Sequence, residues 1–273
     1  MSKETNGIDA DFFVAAGERD PVKAARDPAR PLPKRFYKDV VVAPVDGGFG
    51  VLLDGRAVNT PARRRLVVPS QRLAEALAAE WAGQGETINP AAMPLTKLVN
   101  TAIDGVAVNM AEVIEETVKY AGSDLICYRA GDPASLVAAQ AAAWDPLIGF
   151  ARDRLGARLT LAEGVMFAAQ SAAALDALAA AAAAYVGADA GAPFRLTALN
   201  VMTTLSGSLI LALATALGEI DLETAWAAAH VDEDFQIRAW GEDAEAQARR
   251  AARLTEMRAA AFLAESLAEN LAG

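Results

Sequence analysis

One cysteine and one histidine stand in a chain of 273 residues, and those two scarcities remove most familiar chemistries. Cys127 alone can form neither an intramolecular disulfide nor a cysteine-based zinc site. It lies in the apolar run Asp124-Leu125-Ile126-Cys127-Tyr128, which reads as a buried structural thiol. His230 would have to serve alone as a catalytic base, and Ser206-Gly207-Ser208 lacks the flanking glycines of a nucleophile elbow. His230 reads instead as a helix-end residue near acids. No glycine-rich phosphate loop opens a helix, because Gly47-Gly48-Phe49-Gly50 falls in a hairpin.

Positive charge is also short. With 25 Lys and Arg against 35 Asp and Glu the net charge is −10, which lacks the basic footprint of a nucleic-acid binder. An apolar leader is missing from Met1-Ser2-Lys3-Glu4-Thr5-Asn6-Gly7, and early acids at Glu4, Asp9 and Asp11 do not suit a transit peptide. The expectation is an untargeted cytoplasmic protein, most simply a bacterial one. The stretch from Leu196 to Gly218 carries no charge and is long enough for a membrane span. Seven Ser, Thr and Asn recur through it, and Glu219 and Asp221 follow where a basic cluster or aromatic belt would be needed. It reads as a buried central helix of a soluble domain, without membrane insertion.

What the chain has in quantity is apolar residues, 53% of the total, enough for a sizeable core. Residues 1–33 are polar and dotted with proline, and read as an N-terminal arm. Asp39–Val42 and Phe49–Leu53 flank Asp46-Gly47-Gly48, a hairpin signal. Asp54-Gly55 makes a second turn, and Leu66–Val68 a further strand. Leu73, Leu77 and Trp81 recur every fourth residue after Pro69-Ser70, which predicts a capped helix over 71–81. Helices are also expected over 95–103, 110–120, 134–155 with a kink at Pro146, 171–185, 193–217, 222–230 and 232 to about 267. Leu125–Tyr128 is a possible strand, and Leu159–Phe167 has no clear period. The fold class is α+β: a small β-rich α/β domain over 34–125, then a larger, mainly helical domain over 126–273.

The acids are concentrated. Asp232, Glu233, Asp234, Glu242, Asp243 and Glu245 fall within fourteen residues, interleaved with Phe235, Gln236 and Trp240, and only Arg238 opposes them. A solvated helix would place Lys or Arg four residues away from each acid. The pattern admits three readings: a solvated acidic face whose first acids favour the helix dipole, a surface for a partner, or a carboxylate site. On the last, Asp232 and Glu233 with Glu242 and Glu245 would surround a cation in a hydrolase.

A series of short blocks carries a resemblance. In order they are Arg35-Phe36-Tyr37-Lys38, Leu53-Asp54-Gly55-Arg56, Thr60-Pro61, Glu80-Trp81 and the long Met93-Pro94-Leu95-Thr96-Lys97-Leu98-Val99-Asn100-Thr101-Ala102-Ile103-Asp104. Asp124–Arg129, Gln140, Trp144-Asp145-Pro146, Ser206-Gly207-Ser208, Val231-Asp232-Glu233, Phe235-Gln236, Trp240-Gly241 and Glu245-Ala246 follow. Together, from about 34 to 262, they resemble the assembly chaperones of the F(1)-ATPase α subunit, the family that holds newly made α subunit before it joins β. The resemblance implies a non-enzymatic protein with no cofactor or metal and a transient partner in the α subunit. It also implies an important acid in the C-terminal motif, for which Glu245 is the first candidate and Glu233 the second. Asp232, Glu242, Asp243, Phe235, Gln236 and Trp240 complete the expected partner-binding set. Gly55, Asn100, Asp104, Trp144 and Asp145 read as structural: a turn glycine, caps and core.

Overall fold

A computed structural model describes residues 32–164 and 166–268; the arm expected over 1–33 lies outside them apart from its last two positions. The chain divides into two compact units on either side of Val108–Asn109.

The first unit is built on an antiparallel sheet. Strands β1 (Val40–Val45) and β2 (Gly48–Leu53) pair from Val40 opposite Leu53 to Val45 opposite Gly48, so Asp46-Gly47 is the two-residue hairpin loop. β3 (Arg56–Ala57) continues from Asp54-Gly55, and β4 (Val67–Val68) pairs with the start of β2. Gly48 has a positive φ of 146°, and a Cβ there would stand 2.3 Å from the Val68 carbonyl oxygen, so only glycine lets β4 approach. Helix α1 (Gln71–Ala82) buries Leu73, Ala74, Leu77 and Trp81 as the fourfold spacing predicts, with the Ser70 side chain accepting from the Leu73 N–H.

The sequence blocks of this unit tie one another together. Glu80 of α1 accepts from the backbone N–H groups of Leu95 and Thr96 and from the Thr96 hydroxyl, each at 2.7 Å, and so caps α2 (Pro94–Asp104). Burial pushes the Glu80 carboxyl up, while the three donors pull the other way. At the far end of α2, Asp104 accepts from the Thr60 hydroxyl and the Ala62 N–H. Arg35 donates to the carbonyls of Ala82 and Gln84, at and just past the end of α1, a helix with no basic residue in its last turn. Gly55 turns with φ +77°, as its reading as a turn glycine required, whereas Asp104 ties the loop at Thr60 and Ala62 to the end of α2 and caps no helix.

The second unit is helical. Helix α3 (Met110–Lys119) is followed by 3-10 turns and the two-residue β5 (Tyr128–Arg129), so Leu125–Cys127 is a turn and not the expected strand. The side chain of Asp124 accepts from the Ile126 N–H, which curls the chain there. Helix α4 (Ala134–Asp153) runs through Pro146, and β6 (Ala162–Glu163), inside the stretch of unclear period, pairs parallel to β5. Helix α5 (Ala172–Val186) precedes a pair, α6 (Ala192–Ser206) and α7 (Leu209–Ala216), where one helix was expected. Gly207, at φ +71°, breaks it, and Ser208 caps α7 by accepting from the Leu211 N–H. All of Leu209–Ala214 is buried, as are Leu196, Leu199 and Met202 of α6. Arg195 is buried with them, donating to the Val186 carbonyl and to Asp189, each at 2.8 Å. Among the described residues no helix is long and apolar enough to cross a membrane.

Helices α8 (Leu222–Ala229), α9 (Val231–Trp240) and α10 (Ala244–Ala268) complete the unit. The expected continuous helix from 232 to about 267 is therefore also two, parted at Gly241, whose φ is +91°. The second half of α10 packs on the core through Met257, Ala260, Leu263 and Leu267.

Candidate functional site

The acidic segment occupies α9, the break at Gly241 and the first turns of α10. No residue of α9 is buried. Its first turn carries Asp232, Glu233 and Asp234, which suits the positive end of the helix dipole. Trp240 closes the helix and is 82% exposed, the most exposed large apolar side chain among the described residues. Phe235 is half-buried, with the Arg238 guanidinium 5.9 Å from its ring centroid, and Gln236 is exposed. Glu242 and Asp243 lie in solvent, and Asp243 caps α10 by accepting from the Ala246 N–H at 2.7 Å.

Three of the acids have partners that the lack of local Lys and Arg did not suggest. Asp234 pairs with Arg250, Glu245 with Arg249, and Asp232 accepts from the Gln140 amide at 2.6 Å. Arg249 stands four residues beyond Glu245, the i+4 partner that falls just past the acidic stretch. Arg250 reaches back from α10 to α9, a contact no local spacing encodes. Glu245 keeps 83% of its side chain exposed despite its pair, so the interaction contributes little and leaves the carboxylate open to a partner.

His230 is the corner between α8 and α9. Its ring lies on Trp226 at 3.9 Å between centroids, its Nδ1 is 2.8 Å from the Trp226 carbonyl oxygen, and its Nε2 is 3.8 Å from Glu233. Burial pushes its pKa down, ahead of the opposing Trp226 carbonyl and the flanking Arg250 and Glu233 charges, so the ring is neutral at pH 7. It is the helix-end residue that its place in the sequence suggested.

A cation-assisted hydrolase would need Asp232 and Glu233 near Glu242 and Glu245. Asp232 and Glu233 lie in the first turn of α9 and Glu242 and Glu245 beyond its end, and Asp232 and Trp240 alone are separated by about 12 Å along its axis. Among the described residues no group of three or more His, Cys, Asp or Glu could hold a metal ion. Cys127 is buried, and burial beside Asp124 pushes its thiol up to about 12, which fits its structural reading.

The sequence placed Gln140 and Trp144 in motifs and read Trp144 as structural, which its burial bears out, but gave neither a link to the acidic segment. Both stand on α4, and their side chains reach the two sides of the His230 corner. Trp144 donates from Nε1 to the Ala228 carbonyl at 2.8 Å, and Gln140 reaches Asp232. Partners separated by 84 and 92 residues leave no local signal.

The α9 end thus presents an exposed aromatic, Trp240, beside exposed carboxylates at Glu242, Asp243 and Glu245. The model of the ATP12 chaperone protein family matches residues 34–152, which stops short of α9. The crystal structure of a protein from Agrobacterium tumefaciens is 49% identical with a TM-score of 0.83, covering 94% of each chain. That of ATP12 from Paracoccus denitrificans is 43% identical with a TM-score of 0.79, covering 86% of this chain and 98% of that one. An aspartate-to-lysine mutant of the Paracoccus protein matches at 42% identity, with the same TM-score, 86% of this chain and 97% of that one. The class is therefore a chaperone. The chain belongs to the ATP12 chaperone family, and that membership supports a role in ATP synthase assembly.

Proposed function

We propose that this protein is a non-enzymatic assembly chaperone that binds the unassembled α subunit of the F(1) head, covers its interface and releases it to β. Membership in the ATP12 family, through a relative matched over 98% of its length, carries this reading. An α subunit without its β neighbours exposes apolar interface, and such surface aggregates. The open end of α9 supplies what a temporary cover needs. Trp240 offers a large anchor, and Glu242, Asp243 and Glu245 steer a basic or mixed surface toward it and discourage other partners. Few buried anchors keep the affinity moderate, so that β displaces the chaperone. The partner is transient, no cofactor takes part, and the work is done in the cytoplasm of a bacterium.

Light scattering of isolated α subunit at rising temperature tests this. The protein suppresses aggregation at near-equal molar ratio, and Glu245→Lys, which sets a lysine beside Arg249 and reverses the local charge, suppresses it several-fold less while the circular dichroism is unchanged. A folded Glu245→Lys variant as effective as the wild type would remove Glu245 from the binding surface.

A further inference from the structure

Helix α9 is anchored at one end. None of its residues is fully buried, Val231, Phe235 and Ile237 are half-buried, and polar ties hold its first turns. One tie comes from α10, where Arg250 pairs with Asp234, and the others come from one face of α4, where Gln140 and Trp144 stand one turn apart and are 2% and 1% exposed. Trp144 holds the end of α8 through the Ala228 carbonyl, and Gln140 holds the start of α9 through Asp232. Gln140 does this with both halves of its amide, because its Oε1 also accepts from the Ala130 N–H at 2.8 Å. A backbone N–H only donates and an ionised carboxylate only accepts, so the amide has one possible orientation and needs both of its functions. A Glu there would satisfy Ala130 and set a second carboxylate against Asp232. A Leu would leave both groups without a partner.

We infer that Gln140 is a positioning residue for the chaperone surface: through Asp232 it fixes the direction in which α9 presents Trp240 and the acids beyond it. Asp232 is then a strut turned inward, and the client meets Trp240, Glu242 and Glu245. This rests on the chaperone reading above, and its test separates the two.

Hydrogen exchange and capture of isolated α subunit are measured on Gln140→Glu, Asp232→Asn and the double variant. Gln140→Glu raises exchange of the α9 amides about tenfold, leaves α6 and α7 protected, and lowers capture about tenfold. Asp232→Asn still offers an amide oxygen to Gln140 and keeps both readouts within about threefold of wild type. The double variant restores the bond with donor and acceptor exchanged, and returns both readouts toward wild type. A rescue of this kind does not follow from general destabilisation. Unchanged α9 exchange in Gln140→Glu would overturn the inference. So would an Asp232→Asn variant that loses capture with α9 exchange intact, since Asp232 would then touch the client itself. If α9 exchange responds as expected while wild type captures no α subunit, the positioning role stands and the client assignment fails.

Discussion

The second unit uses one device twice, once in its core and once at its surface. At α6–α7 a helix ends on Gly207 with φ +71°, and Ser208 starts the next helix; at α9–α10 a helix ends on Gly241 with φ +91°, and Asp243 starts the next. The local chemistry is alike, and the surroundings differ. The Gly207 carbonyl accepts from Leu125, Asp124 accepts from the Ile210 N–H at the start of α7, and apolar side chains enclose both helices. Around Gly241 a Cβ would meet nothing within 4 Å, and Trp240 beside it faces water. The same break thus turns a core helix in one place and leaves an exposed helix end in the other. On the proposed function, stability resides in the first and recognition in the second.

Leu199→Ala strikes the buried pair most strongly. It removes a fully buried side chain of α6 and is expected to cost about 2–5 kcal/mol by denaturant unfolding, while the folded fraction captures client normally.

Asp124 sharpens the contrast through pH. Its carboxyl is fully buried, and burial pushes it up to about 6, against the pull of Ser208 and the N–H groups of Ile210 and Ile126. A folded value above the unfolded one means that its contribution to stability is complete below the unfolded value near 3.9 and is lost as pH rises through about 6. The stability gap between wild type and Asp124→Asn should therefore narrow by roughly 3 kcal/mol between about pH 4 and pH 8. A gap that widens instead would show that the donors around Asp124 hold it ionised.

Trp240→Ala has the smallest effect on stability, within about 0.5 kcal/mol, because the side chain is already in water. Its effect on client capture is expected to be about tenfold. A Trp240→Ala variant destabilised as much as Leu199→Ala would erase the distinction between the two breaks.

Much of this was legible in sequence, and the reasons are local. The Asp46-Gly47 hairpin, the α1 spacing and the Ser70 cap depend on neighbours within a few residues. Both helix breaks were missed for a common reason: helical residues on either side of a single glycine keep their periodicity, and only tertiary surroundings decide whether that glycine turns positive. Ser208 and Asp243, the cap residues just beyond each break, were the available signals. The acidic segment was found by composition, but its partners were not, because Gln140 and Arg250 reach it from other helices. The two-residue β5 and β6 are too short to have a period at all.

The most direct measurement is capture of isolated, unassembled α subunit by this protein at low salt, with β subunit added as competitor. Capture of free α that is lost as β is added is the predicted result. Failure to capture α, or capture that β leaves untouched, would contradict the account.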